Sequence, residues 1–353
     1  MIFMKILFVY YLPSGGMETL NRQRCLALQK KGITCHLLYF KNGAGNHNIK
    51  NIPTFITNDD HQIQQIIKKE NYTLVVVSSD YLFLKKLRDF GYKGKIIYEV
   101  QGLGEEKYVN QILQSIKSHI TPYANGLLYP NTSHLKKYFQ QHYPTLKQYY
   151  FHNCIDTNTF CYRSLTRQPS PIIGWVGRLE KNKNWEGFLT ICHQLMKNNP
   201  SIKIWMFHDP TLATPEETDR YNKMVNDLQL KNNLTTYSNI SHDQMANYYS
   251  MIGDSKGFLC STSITEGFGY AVLEAMACRC PVLSTDSDGV RSFIIHNKTG
   301  KYFKNTTDAV NQAKQIINDA KLREMIRTNA QKHIQIYFHP SQYAQNFLKL
   351  IKE

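Results

Sequence analysis

The chain has 353 residues, 42% of them hydrophobic, which is enough material for two domains with cores of their own. Its formal charge of +15 favours phosphorylated ligands or an anionic membrane surface as partners. The basic residues are scattered rather than gathered in an arm or tail, and we find no nucleic-acid motif, so we predict no nucleic-acid partner.

The first half of the chain alternates between strand and helix patterns. Residues 5–11 (KILFVYY) predict a buried strand, which is followed by Gly15, Gly16 and a helix that ends before Gly32. The next strand, 34–40, completes a βαβ opening with glycines at its first turn. Further strands are predicted at 73–77, 95–100, 126–129 and 149–152, and helices near 63–69, 81–90, 109–120 and 133–142. This alternation favours a parallel sheet with helices on both faces.

A polar segment with two prolines, 157–171, separates this half from a second alternating series. The second series predicts strands at 172–176, 202–207, 234–237, 257–260 and 281–283, and helices at 185–197, 216–228, 243–249, 270–278, 309–317, 322–336 and 341–351. We therefore predict an α/β protein with two Rossmann-like domains. They are residues 1–160 and 172–335, joined by a linker at 161–171. We expect the last helix, 336–353, to cross back to the first domain, and ligands to bind in a cleft between the two sheets.

Residues 261–285 predict a strand, a glycine-containing turn and a helix, which is an arrangement that binds anions through unpaired amides of the first helical turn. Two acids are unusual in such a place. Glu266 stands before the turn, and Glu274 lies eight residues on, inside the helix. A ligand with both phosphates and sugar hydroxyls would explain this combination; a solvated loop acid and an exposed helix face are the alternatives.

Two cations, Arg178 and Lys183, follow the first strand of the second domain. A guanidinium fork and a flexible ammonium together suit a diphosphate, although a solvated basic loop would also contain them. After the first strand of the chain, Gly15 and Gly16 indicate either a tight turn or a substrate loop. They do not form the GxGxxG pattern of a dinucleotide-binding site.

Taken together, these segments resemble the retaining glycosyltransferases of family 4, which have the GT-B fold. Glu266 and Glu274 match the family's E-x7-E motif, with EGFG and EAMA in its usual places. Gly177-Arg178-Leu179 and Lys183-Asn184 match its diphosphate-binding pair, and Gly15-Gly16-Met17-Glu18 matches the start of its first helix. Asn153 and residues 156–160 match its domain junction. These matches occur in the family's order over nearly the whole chain.

The resemblance implies transfer of a sugar, with retention, from a nucleotide-diphosphate sugar, with a UDP-sugar as the expected donor. Residues 1–160 would be the acceptor side and residues 172–335 the donor side, and the acceptor would be a glycan, a lipid or another cell-envelope molecule. Glu274 would bind the ribose hydroxyls and Glu266 the sugar hydroxyls, while Arg178 and Lys183 would bind the diphosphate. The amides of Gly267, Phe268 and Gly269 would line the path of the sugar and the phosphates, and Gly15 and Gly16 would contact the donor from the first domain.

Many family members have a catalytic histidine after a central strand of the first domain, and this chain has Gln101 there. Gln101 can donate a hydrogen bond but cannot titrate, and His119 and His152 would replace the missing histidine only if the fold brought them close. This departure keeps open a catalytically silent sugar-binding or assembly protein as an alternative. A nucleotide-sugar epimerase on the same fold is another, and its product would be an isomerised donor.

The eight cysteines form neither a CxxC pair nor a zinc-binding spacing, which predicts a reducing compartment. No signal-cleavage pattern follows the apolar residues 1–11, and no run approaches the roughly 18 apolar residues of a membrane span. We expect a cytoplasmic protein with no cofactor and no essential metal; Asp286-Ser287-Asp288 is interpreted as a polar turn. Peripheral contact with an anionic membrane is a further hypothesis, based on basic residues beside Leu84, Leu87 and Phe139: Lys85, Lys86, Arg88, Lys136 and Lys137.

Overall fold

A computed structural model describes residues 4–103 and 106–353 of the chain. The strands are β1 (Lys5–Tyr10), β2 (Thr34–Tyr39), β3 (Thr54–Ile56), β4 (Leu74–Ser78), β5 (Lys95–Glu99), β6 (Gly126–Tyr129), β7 (Lys147–Tyr150), β8 (Ile172–Val176), β9 (Lys203–His208), β10 (Leu234–Ser238), β11 (Phe258–Ser261), β12 (Val282–Thr285) and β13 (Lys301–Phe303). The α-helices are α1 (Gly15–Gln29), α2 (Asp60–Glu70), α3 (Tyr81–Asp89), α4 (Glu106–Ile120), α5 (Ser133–His142), α6 (Trp185–Met196), α7 (Pro215–Asp227), α8 (His242–Asp254), α9 (Tyr270–Ala277), α10 (Asp288–Arg291), α11 (Thr306–Asn318), α12 (Ala320–Tyr337) and α13 (Pro340–Lys352).

The chain divides into two compact units. Unit 1 consists of Met1–Ile155 together with Phe338–Glu353, and unit 2 is Asp156–Tyr337. The predicted linker, 161–171, is hydrogen-bonded to unit 2 over its first part: the backbone N–H of Arg163 donates to Ser250 Oγ at 3.1 Å, and Arg167 Nε donates to the carbonyl of Asp254 at 2.9 Å. Unit 2 thus begins several residues before the predicted boundary.

Unit 1 is built on a parallel sheet of seven strands in the order β3-β2-β1-β4-β5-β6-β7. Its central strands are apolar on both faces, and Val75, Val76 and Val77 of β4 are each fully buried. This is what a parallel sheet covered on both faces requires. The helix α13 packs against α1, and Phe347 contacts Phe8 of β1 with ring centroids 5.7 Å apart. The C-terminal helix therefore completes the core of unit 1.

Unit 2 contains a second parallel sheet, with six strands in the order β10-β9-β8-β11-β12-β13. The strand order reverses between β8 and β11, so the loops after these neighbouring strands diverge at their carboxyl ends. Such a switch point is where open α/β sheets bind their ligands. In unit 1 the corresponding reversal lies between β1 and β4.

Several local features differ from the sequence-based expectations. Two short edge strands, β3 and β13, were not predicted because three residues carry too little periodicity. The strand β7 ends at Tyr150, two residues before the predicted end. Its pairing with β6 matches Tyr150 with Tyr129, the last residue of β6, so both strands end together. Among the described residues, every helix is too short or too polar to cross a lipid bilayer.

Candidate functional site

The loop after β8 brings Lys183 to the switch point of unit 2. Residues 181–183 form one turn of 3₁₀ helix, which ends at Asn184 in the left-handed conformation, with φ of 48°. The Asn184 side chain then accepts a hydrogen bond from the Gly187 N–H and caps α6. The tight turn followed by a capped helix fixes the direction in which Lys183 leaves the backbone.

The loop after β11 carries Glu266 and leads into α9. Gly269 begins that helix with φ of 85°, a conformation that favours glycine, and a side chain there would come within 2.9 Å of Val290. Phe268 is buried against Phe293, so its ring anchors the loop and only its backbone can face a ligand. The N-cap residue Gly269 has no side chain to cap α9, and a helix N-terminus of this kind favours an anion.

Asn182 joins these two loops by its side chain and its backbone. Its Nδ2 donates to the carbonyl of Thr265 at 3.1 Å, while its Oδ1 accepts from the Thr265 N–H at 3.2 Å and from Thr265 Oγ1 at 2.9 Å. Its own carbonyl accepts from the Ile264 N–H at 2.8 Å. Thr262 adds to the connection, because Oγ1 donates to the carbonyls of Lys183 and Asn184. The two loops are therefore fixed relative to each other.

Lys183 and Glu266 meet in an ion pair. Lys183 Nζ donates to Glu266 Oε1 at 2.6 Å, and Ser263 Oγ donates to the same oxygen at 2.6 Å. The side chains retain 21% and 14% of their exposure, so the pair is partly desolvated but still reachable from solvent. Without a ligand, the cation assigned to the diphosphate is thus neutralised by the acid assigned to the sugar.

Arg178 lies apart from this pair. Its guanidinium donates to Glu180 at 3.0 Å, two residues along the same loop, and its side chain is 54% exposed. The structure thus brings Lys183, but not Arg178, into contact with Glu266. Arg178 is free to reorient at little cost, because an exposed ion pair of this kind contributes about 0–1 kcal/mol.

Glu274, the second acid of the motif, is only 5% exposed, which rules out an exposed helix face. It lies in the second turn of α9, where its Oε2 accepts a hydrogen bond from the hydroxyl of Tyr249 on α8 at 3.0 Å. Burial and the nearby Glu274 carboxylate both raise the pKa of Tyr249, so that its hydroxyl stays protonated and continues to donate. The acid is therefore held by a specific partner rather than solvated.

Gly15, Gly16 and Gln101 belong to unit 1. Gly15 has φ of 56° and begins α1 together with Gly16, after β1 at the switch point. Gln101 follows β5, and both ends of its amide are bound: Nε2 donates to Glu99 Oε1 at 3.0 Å, and Oε1 accepts from Asn153 Nδ2 at 2.6 Å. Its amide orientation is consequently fixed within unit 1.

The two histidines considered as substitutes both lie against aromatic rings. His119 is exposed and packs edge-on against Tyr81, with centroids 5.5 Å apart, while the ring of His152 lies 4.8 Å from that of Phe338. At the predicted polar turn 286–288, Asp286 accepts from Arg291 at 2.7 Å. The described residues contain no group of three or more potential metal ligands.

The basic residues behind the membrane hypothesis are partly neutralised. Lys85 pairs with Asp89 at 2.6 Å, and Lys86 with Asp60 at 3.0 Å. The expected apolar neighbours are fully buried in the core of unit 1: Leu84, Leu87 and Phe139. The expectation that these apolar side chains form part of a membrane-binding surface is therefore wrong. Contact with a membrane stays a prediction.

Residues 162–333, most of unit 2, match the family described as Glycosyl transferases group 1. Unit 2 is a group 1 glycosyltransferase domain. A similar relative is the Glycosyltransferase 1 domain-containing protein 1 of Xenopus tropicalis, 33% identical over 76 residues, which make up 22% of each chain. Trehalose synthase of Thermococcus litoralis is 22% identical over 183 residues, 51% of this chain and 44% of the relative. The matches thus span less than half the length of these curated relatives.

A solved structure shares the fold of the whole chain. HepE from Anabaena, in complex with UDP and glucose, has a TM-score of 0.83 at 16% identity, with 99% of both chains covered. This likeness and the two parallel sheets confirm the predicted GT-B fold. The resemblance to glycosyltransferases is confirmed for the group 1 domain by the family match.

Sequence reasoning missed the residues that support the site, namely Asn182, Thr262, Ser263 and Tyr249. Asn182 is adjacent to Lys183, and Ser263 lies three positions before Glu266. Their closeness in the sequence to predicted site residues could have identified them. Tyr249 lies 25 positions before Glu274, and only the packing of α8 against α9 brings them together.

Proposed function

We propose that the protein is a retaining glycosyltransferase that moves a sugar from a nucleotide-diphosphate sugar to a glycan, lipid or other cell-envelope acceptor. The observation that carries the proposal is the pair Lys183–Glu266 at the switch point of the group 1 domain, beside the uncapped N-terminus of α9. A cation, a helix N-terminus and a carboxylate in one place suit a diphosphate and a sugar together. The complex of HepE with UDP and glucose supports a UDP-sugar as the donor.

The proposed chemistry follows from the charges that develop during glycosyl transfer. The bond from the anomeric carbon to the diphosphate breaks, so positive charge grows on the sugar and negative charge on the leaving group. Lys183, Arg178 and the amides of residues 267–269 would stabilise the leaving diphosphate, which is the largest contribution a preorganised site can make. No metal ion or cofactor is part of this proposal.

Donor binding would rearrange the ion pair. The diphosphate competes with Glu266 for the Lys183 ammonium, and the released carboxylate can then accept hydrogen bonds from sugar hydroxyls. Glu274 would accept the ribose hydroxyls. The two acids thus have different tasks although they lie on one short segment.

Gln101 is proposed as the hydrogen-bonding group that unit 1 contributes in place of the family's histidine. After its bonds to Glu99 and Asn153, the Gln101 amide can still donate one hydrogen and accept one hydrogen bond from a ligand. It cannot exchange a proton at neutral pH, so its contribution would be polar orientation alone. Gly15 and Gly16 are proposed as donor contacts through their backbone.

A ligand panel followed by a transfer assay tests the proposal. UDP, GDP and ADP and their glucose conjugates are screened by thermal shift, since a ligand of the native site raises the unfolding temperature by mass action. We expect stabilisation by one nucleotide series, UDP first, and its loss in Lys183→Ala. Saturable sugar transfer with an α-linked product from an α-linked donor would support retention, whereas an absence of binding to any nucleotide would overturn the proposal.

The products separate the alternatives. An isomerised nucleotide sugar without transfer would indicate an epimerase. Binding without hydrolysis, transfer or isomerisation over a broad acceptor set would indicate a silent sugar-binding protein.

A further inference from the structure

Tyr249 is fully enclosed in unit 2, and its hydroxyl is directed at one atom of the proposed donor site. It lies in the third turn of α8, with no exposed surface, and donates to Glu274 Oε2 at 3.0 Å. The next residue back, Tyr248, takes a different direction and packs against Trp205 and Phe207. Two neighbouring tyrosines of α8 thus differ, since one packs among aromatic rings and the other donates to a single carboxylate oxygen.

This hydrogen bond has the properties of a restraint on the carboxylate. A buried phenol hydroxyl that loses its acceptor leaves an unsatisfied polar group, at a penalty of about 1–3 kcal/mol, so the bond is maintained. A carboxylate that accepts a hydrogen bond from a rigid aromatic side chain loses freedom to rotate about its last torsion. An ionised carboxylate has about four acceptor positions, so a bond to Tyr249 is compatible with a further bond from a ligand hydroxyl.

We propose that Tyr249 is a positioning residue that holds the Glu274 carboxylate in the orientation that accepts the ribose hydroxyls of the nucleotide, and so sets the preference for ribose over deoxyribose. The inference rests on the proposed function, because it takes Glu274 as the ribose acceptor. A site built to accept a hydrogen bond from a hydroxyl rejects the analogue that lacks it, because the carboxylate then stays buried without that partner. The strength of this rejection depends on how firmly the carboxylate is held.

The test compares UDP with 2′-deoxy-UDP and 3′-deoxy-UDP by calorimetry in three proteins. In the wild type we expect UDP to bind at least tenfold more tightly than at least one deoxy analogue. In Tyr249→Phe we expect that ratio to fall at least fivefold, through weaker binding of UDP, with the affinity for the deoxy analogue unchanged within twofold. Tyr221→Phe is the matched control, because Tyr221 is also a buried tyrosine of unit 2 whose hydroxyl binds Thr236 at 3.1 Å. It should leave the ratio unchanged.

A purely structural role for Tyr249 gives a different result. Tyr249→Phe would then weaken the binding of UDP and of both deoxy analogues by the same factor, whether or not the unfolding temperature falls. The ratio of the affinities would be unchanged, and the inference would be overturned. Equal affinity of the wild type for UDP and both deoxy analogues would also overturn it, while leaving the proposed function intact. If the wild type binds no nucleotide at all, the proposed function itself is wrong.

A second measurement does not depend on the folding of Tyr249→Phe. A 3-fluorotyrosine incorporated at position 249 keeps the hydroxyl and gives a single fluorine resonance. We expect this resonance to shift when UDP saturates the protein and to shift less with the discriminated deoxy analogue. Equal shifts with UDP and both analogues would contradict the inference.

Discussion

Each unit places a basic residue against a glutamate near the carboxyl end of a strand, but the two pairs differ in their access to solvent. In unit 1, Arg24 of α1 donates to Glu99 at 2.6 Å, and the two side chains are 0% and 1% exposed. In unit 2, Lys183 and Glu266 are equally close but retain 21% and 14% of their exposure. The same chemistry therefore occurs once as part of a core and once within reach of a ligand.

The partners of the buried pair explain why it is closed. Glu99 accepts from Arg24 and Gln101 through Oε1, and from Ser78 through Oε2. The guanidinium also lies 3.9 Å above the ring of Phe8. Every carboxylate oxygen thus has a protein donor, and the cation rests on an aromatic face, which leaves no role for a ligand. We therefore interpret this pair as a structural one that favours a single conformation of unit 1.

The largest expected effect comes from breaking the buried pair. Arg24→Met leaves the Glu99 charge enclosed without its partner, and we expect the free energy of unfolding to fall by about 3–5 kcal/mol. Urea denaturation followed by far-ultraviolet circular dichroism measures this change. Adding Glu99→Leu to Arg24→Met should restore more than half of the loss, because the unpaired charge is then gone.

The matched change in unit 2 is Lys183→Met. It should lower the free energy of unfolding by less than about 1 kcal/mol, because the Glu266 carboxylate remains partly hydrated. Equal losses in the two variants would show that the difference in exposure does not separate a structural pair from a ligand-binding one.

The second expected effect is on activity. Lys183→Ala should lower the rate of sugar transfer roughly 10²–10³-fold, the loss typical of one donor removed from a developing anion. Lys181→Ala is the control, because Lys181 lies in the same 3₁₀ turn and is exposed. We expect less than a threefold change in its transfer rate, and a similar loss in both variants would point to the turn rather than to the ammonium.

The third effect has an unusual sign. Glu266→Gln removes the carboxylate that occupies Lys183 in the ligand-free protein, so the affinity for UDP should rise roughly three- to fivefold, the equivalent of about 0.6–1 kcal/mol for one partly exposed ion pair. Transfer should fall in the same variant, because the carboxylate that accepts the sugar hydroxyls is lost. Calorimetry with UDP and a transfer assay measure both quantities. Weaker binding of UDP would mean that Glu266 supports the diphosphate site instead of competing for it.

The sequence was sufficient for the fold because strands such as β4 are continuous apolar runs and helices such as α11 have a helical period, and two alternating series of them predict two sheets. Motif spacing also singled out Glu266, Glu274, Arg178 and Lys183 as candidates, and their roles stay predictions. The sequence could not show that Lys183 contacts Glu266 while Arg178 contacts Glu180, since side-chain pairing depends on loop conformation. Nor could it place Tyr249 beside Glu274, because that contact depends on the packing of two helices.

The smallest expected effect concerns a third ion pair, Arg178–Glu180. Its side chains are 54% and 32% exposed, so it is the most exposed of the three pairs compared. Because water screens such a pair, Glu180→Gln should change the free energy of unfolding by less than about 0.5 kcal/mol. It should also leave the affinity for UDP within about twofold, in contrast to Glu266→Gln, because releasing an already mobile guanidinium gains little. Measured by the same denaturation and calorimetry, the three pairs should rank by exposure in their effect on stability, whereas the affinity for UDP should respond most to the change at the partly buried pair, Lys183–Glu266. A loss above about 1.5 kcal/mol for Glu180→Gln would exceed what a screened pair can contribute and would show that the loop after β8 depends on this contact for its conformation.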